Sequence, residues 1–305
     1  MKIFESQLQK PEKLKVPERI QKMLAGITED RQDYSDFEDL YSPEEIASDV
    51  EQVENIKRGF ELKLKRLDPE SARHVENLKE KSELFEAFCL SRPEWFGEKS
   101  TMIITKEKDD LENGVDAVLE HIRDEEKRHI GLALDITFNT TGKLVSDKLQ
   151  GIEQEVRRGV LGTVKYIETE EGVGLGHIPR LVVGVAQDRV DSLLKLWFSS
   201  VTDQGEMKDM TEKMLKNHTI QIVFLRQMKA QLWAFKHLAA SLGHDDAILK
   251  FQEAETFIMD LLEEKDNIYQ SHKARIDEDP ALIIIERYAR SLYNQVERES
   301  AVLAE

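Results

Sequence analysis

Residues 114–138 read GVDAVLEHIRDEEKRHIGLALDITF, and their reading decides the fold. GVDAVLEHI at 114–122 and IGLALDITF at 130–138 both alternate apolar with other residues, and the charged RDEEKR between them suits a hairpin connection. Pairing the strands around the midpoint of RDEEKR makes facing residue numbers sum to about 251, so Asp116 faces Asp135. An odd sum is favoured because it sets Val115, Ala117 and Leu119 on one surface with Leu132, Leu134 and Ile136. A slip of one residue mixes the faces. The other surface then holds Asp116, Val118 and Glu120 beside Gly131, Ala133, Asp135 and Thr137, where small residues leave space near the acids. Cross-strand Cβ atoms lie about 4.5–5.5 Å apart, so two carboxylates there repel unless one is protonated or a cation lies between them. Mg²⁺ or Mn²⁺ is the expected filler, because a hard dication takes one or two carboxylates and keeps waters for substrate oxygens.

The flanking sequence predicts an α/β fold: a small mixed central sheet with flanking helices, N-terminal helices and a C-terminal helical region. TMIIT at 101–105, followed by a charged turn KEKDDLENG, reads as a strand; TVKYIE at 163–168 and the near-continuous apolar RLVVGVA at 180–186 add two more, the last as in the middle of a covered sheet. Helical periodicity covers Gly142 to about Gly159 and resumes at Asp188. Upstream, Ser42-Pro43 with Glu45 forms a capping box that opens a helix with an expected buried stripe of Ile46, Val50, Val53, Phe60, Leu64 and Leu67. Asp68-Pro69 begins a second helix, with Val75, Leu78, Phe85 and Phe88. Residues 1–41 read as a polar, loosely attached arm, 42–204 as the α/β domain with its leading helices, and 205–305 as helical. In that last region one long helix is expected to bury Met214, Leu225, Met228, Leu232, Phe235 and Leu242, a second follows Gly243, and a third begins at Asp279-Pro280. These helices could cover the sheet, form their own bundle or pair with another copy.

Composition narrows the function. Sixty acidic against 43 basic side chains give a formal charge of −17, which opposes gripping nucleic acid over a whole face. Lys143, Lys148, Arg157, Arg158 and Lys165 offer a local cationic patch, diluted by Asp147, Glu153 and Glu155. No apolar run approaches the roughly 20 residues of a membrane span, and Glu5, Gln7 and Gln9 interrupt any secretory apolar segment. A single cysteine, Cys89, excludes an intrachain disulfide, so a cytoplasmic protein is expected.

With Asp116 in GVD and Asp135 in LDITF, the chain resembles the PD-(D/E)XK nuclease superfamily, the restriction-endonuclease-like fold, over about residues 70–200. The resemblance implies a helix before a three-stranded meander, an acid at the second strand, a (D/E)-X-K motif ending the third, and metal-dependent cleavage of DNA or RNA. It makes Asp116 and Asp135 the metal ligands. Thr137 stands where the family has lysine, and a hydroxyl supplies no positive charge to the attacking water. Some members take the lysine from a neighbouring element; of Lys143 and Lys148, Lys148 is the expected substitute, deeper in the following helix. A helix acid, Glu83 or Glu86, joins the family's site. The competing reading is a catalytically inactive interaction protein whose C-terminal helices bind a partner or a second copy.

Other candidates carry less. Gly142-Lys143 lacks the glycine (Thr137) and the hydroxyl (Leu144) of a phosphate-binding loop. GVGLG at 172–176 precedes no helix and reads as a hairpin tip. The eight histidines show no zinc-ligand spacing, with His121 and His129 flanking the hairpin turn. Cys89 reads as buried, and Met207, Met210 and Met214 as helix core rather than an adaptable binding surface.

Overall fold

A computed structural model describes residues 15–123, 128–137, 142–169 and 172–304. Its central hairpin is β2 (Ala117–Arg123) and β3 (Arg128–Thr137), antiparallel, with Ala117 opposite Leu134 and the same register kept to Arg123 opposite Arg128. The middle of the expected turn, 124–127, and Phe138 lie outside the described residues. Leu119, Leu132, Leu134 and Ile136 enter the main apolar core. Val115 does not join them. β2 starts only at Ala117, and Val115 turns into a smaller cluster with Val118 and Ala133 on the other face.

β1 (Ser100–Ile104) pairs antiparallel with β2, and β6 (Arg180–Gly184) pairs parallel with β3, giving a mixed four-stranded sheet of order β1-β2-β3-β6. β4 (Gly162–Thr169) and β5 (Gly172–Ile178) form a separate hairpin. The GVGLG segment is therefore strand, not tip. It lies over the face with small residues: a Cβ on Gly131 would stand 3.4 Å from Ile178 Cγ2 and 3.8 Å from Leu175 Cδ1. The space expected near the acids at Gly131 and Ala133 is filled by this hairpin. The charged stretch expected as a turn is α4 (Glu107–Asn113), closed by Gly114 in the left-handed conformation at φ 62°. Asp109 of α4 accepts the main-chain N–H groups of Lys165 and Tyr166, both at 2.9 Å, and so fixes the helix to β4.

Helices flank the sheet: α1 (Glu18–Gln32), α2 (Pro43–Leu64), α3 (Pro69–Leu90), α5 (Gly142–Arg157) and α6 (Gln187–Thr202). Ser42 caps α2 by accepting from Glu45 N–H at 3.2 Å, as the capping box predicts, and Asp68 caps α3. Only part of the expected apolar stripe of α2 docks: Val53 is buried and Ile46 packs against the cluster around Tyr166, whereas Val50, Phe60 and Leu67 are exposed, as is Val75 of α3. Polar contacts hold α2 as well: Asp49 takes Tyr166 Oη and Lys165 Nζ at 2.7 Å, and Lys57 reaches Glu107 at 2.6 Å. Nor are residues 18–41 loosely attached. Ile20 is buried in the main core, and Tyr34, Phe37 and Tyr41 surround the Tyr166 ring at 4.8–5.3 Å between centroids. Their aromatic side chains find a site on β4 that sequence distance concealed.

The C-terminal region comprises α7 (Glu206–Lys216), α8 (Ile220–Leu242), α9 (Asp245–Glu264), α10 (Asp266–Asp277) and α11 (Pro280–Ala304). The expected single long helix is thus broken before Ile220, and α10 was not foreseen. Met207, Met210 and Met214 are 56%, 50% and 52% exposed rather than core, and Leu242 is exposed as well. These helices both cover the sheet and pack on one another: α8 lies against β6 and against α9 and α11. The apolar run of β6 predicted a central strand, but β6 is an edge. Both its faces are buried, and α8 occupies its free side. Gln231 bonds Val182 N–H at 2.9 Å and Val182 C=O at 2.7 Å, while Gln227 bonds Gly184 N–H and C=O, both at 2.8 Å. The spacing explains the fit, since four helical residues rise about 6 Å and two strand residues about 6.6 Å. No helix among the described residues is long and apolar enough to cross a membrane.

Gln231→Leu strands a buried N–H and C=O of β6, so we expect a loss of about 2–5 kcal/mol in urea unfolding. Lys229→Ala, on the exposed side of the same helix, should stay within about 0.5 kcal/mol of the parent. A Gln231→Leu variant as stable as the parent refutes the edge-capping role.

Candidate active site

Asp135 lies near the end of β3, and Asp116 immediately precedes β2. Asp116 N–H donates to Leu134 C=O at 2.9 Å, one residue off the register in which Ala117 opposes Leu134, so the regular pairing ends at Ala117 and the expected Asp116–Asp135 strand pair does not form. Asp116 Oδ2 in turn accepts the Ile136 N–H. α5 supplies the cation: Lys148 Nζ pairs with Asp135 Oδ1. Val145, Leu149 and Ile152 are buried in the core, which fixes the helix rotation that turns Lys148 to the acid. Lys143 is exposed, and Thr137, two residues beyond Asp135, is buried. Arg180, opening β6, places Nη2 4.0 Å from Asp135 Oδ2 and bonds Glu155 through Nη1 at 2.8 Å. Gly114 lies against this group: a Cβ there would fall 3.0 Å from Arg180 Nη2 and 3.6 Å from Asp135 Oδ2.

Two further acids and a third cation complete the cluster. Glu86 of α3 is buried and pairs with Arg31 of α1. Arg31 also meets Asp110 of α4 at 3.2 Å and the main-chain oxygen of Asp116 at 3.1 Å. Glu83, the other helix acid considered, points away, exposed and 3.7 Å from Lys79. Sequence reasoning did not find Arg31, Asp110 or Arg180. Asp110 had a usable signal, since Asn113-Gly114 can end a helix as readily as a turn. Arg31 had none, because its partners are 55 to 85 residues away.

The electrostatics follow from burial. Desolvation raises the Asp116 carboxyl well above its ordinary value, and Asp110, Glu86 and Asp135 push it further while the Ile136 N–H opposes them. Desolvation likewise raises Asp135, with Lys148 and then Arg180 pulling against it. Glu86 is raised by burial, with Arg31 countering and Asp110 adding to the shift. The donor set is all oxygen, which suits Mg²⁺ or Mn²⁺ better than a softer metal. Among the described residues no three His, Cys, Asp or Glu side chains are grouped as a ready metal cage. Two carboxylates with water ligands need no such cage, so Asp116 and Asp135 fit a hard dication by donor chemistry.

The remaining sequence candidates are placed elsewhere. His121 hydrogen-bonds Ser100 Oγ at 3.0 Å and stacks on Phe257 at 4.2 Å. Cys89 is buried. Within the expected cationic patch, Arg157 pairs with Glu153 at 2.8 Å and Lys165 with Glu45 at 2.6 Å, leaving Lys143 and Arg158 as its exposed members. A scan of family models, a search of curated proteins and a search of solved structures each find no match for the chain.

A carboxyl raised by folding holds its proton more tightly in the folded than in the unfolded chain. Its contribution to stability therefore declines as pH rises from about 4 through the raised value. Asp116→Asn removes that penalty and retains an oxygen for the Ile136 N–H. We expect the melting temperature of the variant, relative to the parent, to rise between pH 5 and pH 8 in metal-free buffer. A gap that is constant with pH contradicts the buried acid cluster.

Proposed function

We propose that the chain is a metal-dependent phosphodiesterase acting on DNA or RNA through a PD-(D/E)XK-like site. The observation that carries this reading is the ion pair of Lys148 with Asp135, beside Asp116, whose carboxylate accepts the N–H of the next strand residue, Ile136. Asp116 and Asp135 would hold Mg²⁺ or Mn²⁺, which when bound supplies Lewis acidity toward the phosphate and a lowered pKa for water. Lys148 restores the positive charge that Thr137 cannot provide. From the second turn of α5 its ammonium orients the attacking water and offsets charge developing on the phosphate. Asp135 positions that ammonium, and Glu86 and Arg31 set the electrostatic wall behind Asp116. Gly114 keeps the approach to Asp135 narrow but free of a side chain.

The net charge of −17 restricts how a polyanion can be held. Productive contact must rest on local cations, with exposed Lys143 in the first turn of α5 available, and cleavage should weaken steeply with salt. The alternative of a catalytically inactive interaction protein draws on one observation, the exposed Met207, Met210 and Met214 of α7, whose flexible thioethers suit an adaptable binding surface. A partner or a second copy would then dock there.

Incubation with single- and double-stranded DNA and RNA in Mn²⁺ separates these readings. We expect cleavage by the parent, none by the Asp116→Ala, Asp135→Ala double variant, and a rate lowered by about 10²–10³ in Lys148→Ala, the effect of losing one charge-stabilising group. Equal traces from parent and double variant reject the enzyme and leave the interaction reading.

A further inference from the structure

A groove remote in sequence from the acid cluster lies between α8, α11 and the junction of α9 with α10. It encloses about 570 Å³, within the range of small-molecule sites. Ala230 and Ala289 leave its floor deep, and Trp233 and Tyr269 form aromatic walls. Tyr293 and His237 hold the Trp233 ring from outside the groove lining, with centroids 4.5 and 5.0 Å away.

The charges around it are unequal in their commitments. Arg226 is satisfied, pairing with Asp277 and Glu286 while its guanidinium lies 5.5 Å over the Tyr269 ring. Lys229 and Arg290 also line the groove, are exposed, and have no acidic partner among the described residues. With Arg226 tied to both Glu286 and Asp277, Lys229 and Arg290 are the lining cations without an ion-pair partner among the described residues, and Asp266 is the one lining acid outside that pairing. Two unpaired cations on adjacent helices beside an aromatic face form a composite recognition surface. A planar ring can lie on the indole, and an anion can bridge the ammonium and guanidinium.

We propose that this groove binds a mononucleotide-type ligand, its base on Trp233 and its phosphate on Lys229 and Arg290. The site uses none of the acid-cluster residues, so it stands whether or not the chain cleaves nucleic acid.

The chain carries its own optical probe. Of its three tryptophans, Trp95 and Trp197 are 1% and 3% exposed, whereas Trp233 opens to the groove. Full-length protein is titrated with AMP, adenosine and inorganic phosphate, following tryptophan emission and, in parallel, binding heat. Saturable quenching by AMP is expected, at least tenfold tighter than by adenosine or phosphate. The Lys229→Glu, Arg290→Glu double variant should lose at least tenfold in AMP affinity, with Lys229→Gln, Arg290→Gln as a milder version if the reversed charges disturb folding. Trp233→Phe should remove the optical signal while heat of binding persists. The Asp116→Ala, Asp135→Ala variant should bind AMP as the parent does. No saturable response to AMP, equal affinity for adenosine or phosphate, or an unchanged affinity in both double variants of the cations overturns the proposal.

Discussion

Carboxylates cannot be crowded out of water without counter-charge, and this constraint organises the molecule around the β2–β3 hairpin. The hairpin brings Asp116 beside Asp135, its carboxylate taking the Ile136 N–H where the regular pairing ends, and α3 and α4 add Glu86 and Asp110. Left alone, such a group would protonate or swell. The chain answers with three cations drawn from well-separated segments: Arg31 from α1, Lys148 from α5 and Arg180 from β6. Each is delivered by an element whose apolar side is buried elsewhere. Ile20 anchors α1 and Val145, Leu149 and Ile152 anchor α5, while Leu181, Val182 and Val183 seat β6. Hydrophobic burial supplies the positioning force, and the ion pairs confer geometry more than net stability, since desolvation consumes much of what a buried pair returns.

The same division explains what was readable in the sequence. The hairpin register was legible because it depends only on parity and on a short connection, both local properties. Lys148 was the expected cation only because the resemblance calls for one and it lies deeper than Lys143 in the helix after β3; its pairing with Asp135, thirteen residues away, depends on how that helix docks. Arg31 was not legible, because nothing near it distinguishes a solvated arginine from one that crosses to Glu86. β6 illustrates another limit. A continuous apolar run reports that two faces are covered, and it is silent on whether a neighbouring strand or a pair of glutamines fills the hydrogen-bonding side. Gln227 and Gln231 sit at helical spacing within an apolar helix, and that oddity was the available clue. Much of the α2 stripe and the methionines of α7 stay uncovered for a related reason: periodicity identifies an apolar face, but only tertiary contacts decide how much of it anything lies against. Phe60 and Met210 remain exposed for want of such a contact.

Moving the cation from strand to helix changes the physical character of the proposed site. A lysine two residues beyond Asp135 on β3 would share its strand and its face, with its direction dictated by the pleat. Lys148 reaches Asp135 from another element, so its position depends on how α5 docks. That docking is braced from the far side, where Glu153 takes the Tyr288 hydroxyl of α11 at 2.5 Å and Arg157 meets Glu299 at 3.5 Å. The C-terminal helix thereby acts on the charge beside Asp135 without approaching it. Under the nuclease reading, the C-terminal helices are part of what holds the cation in place, which gives the sheet and its helical cover a common purpose.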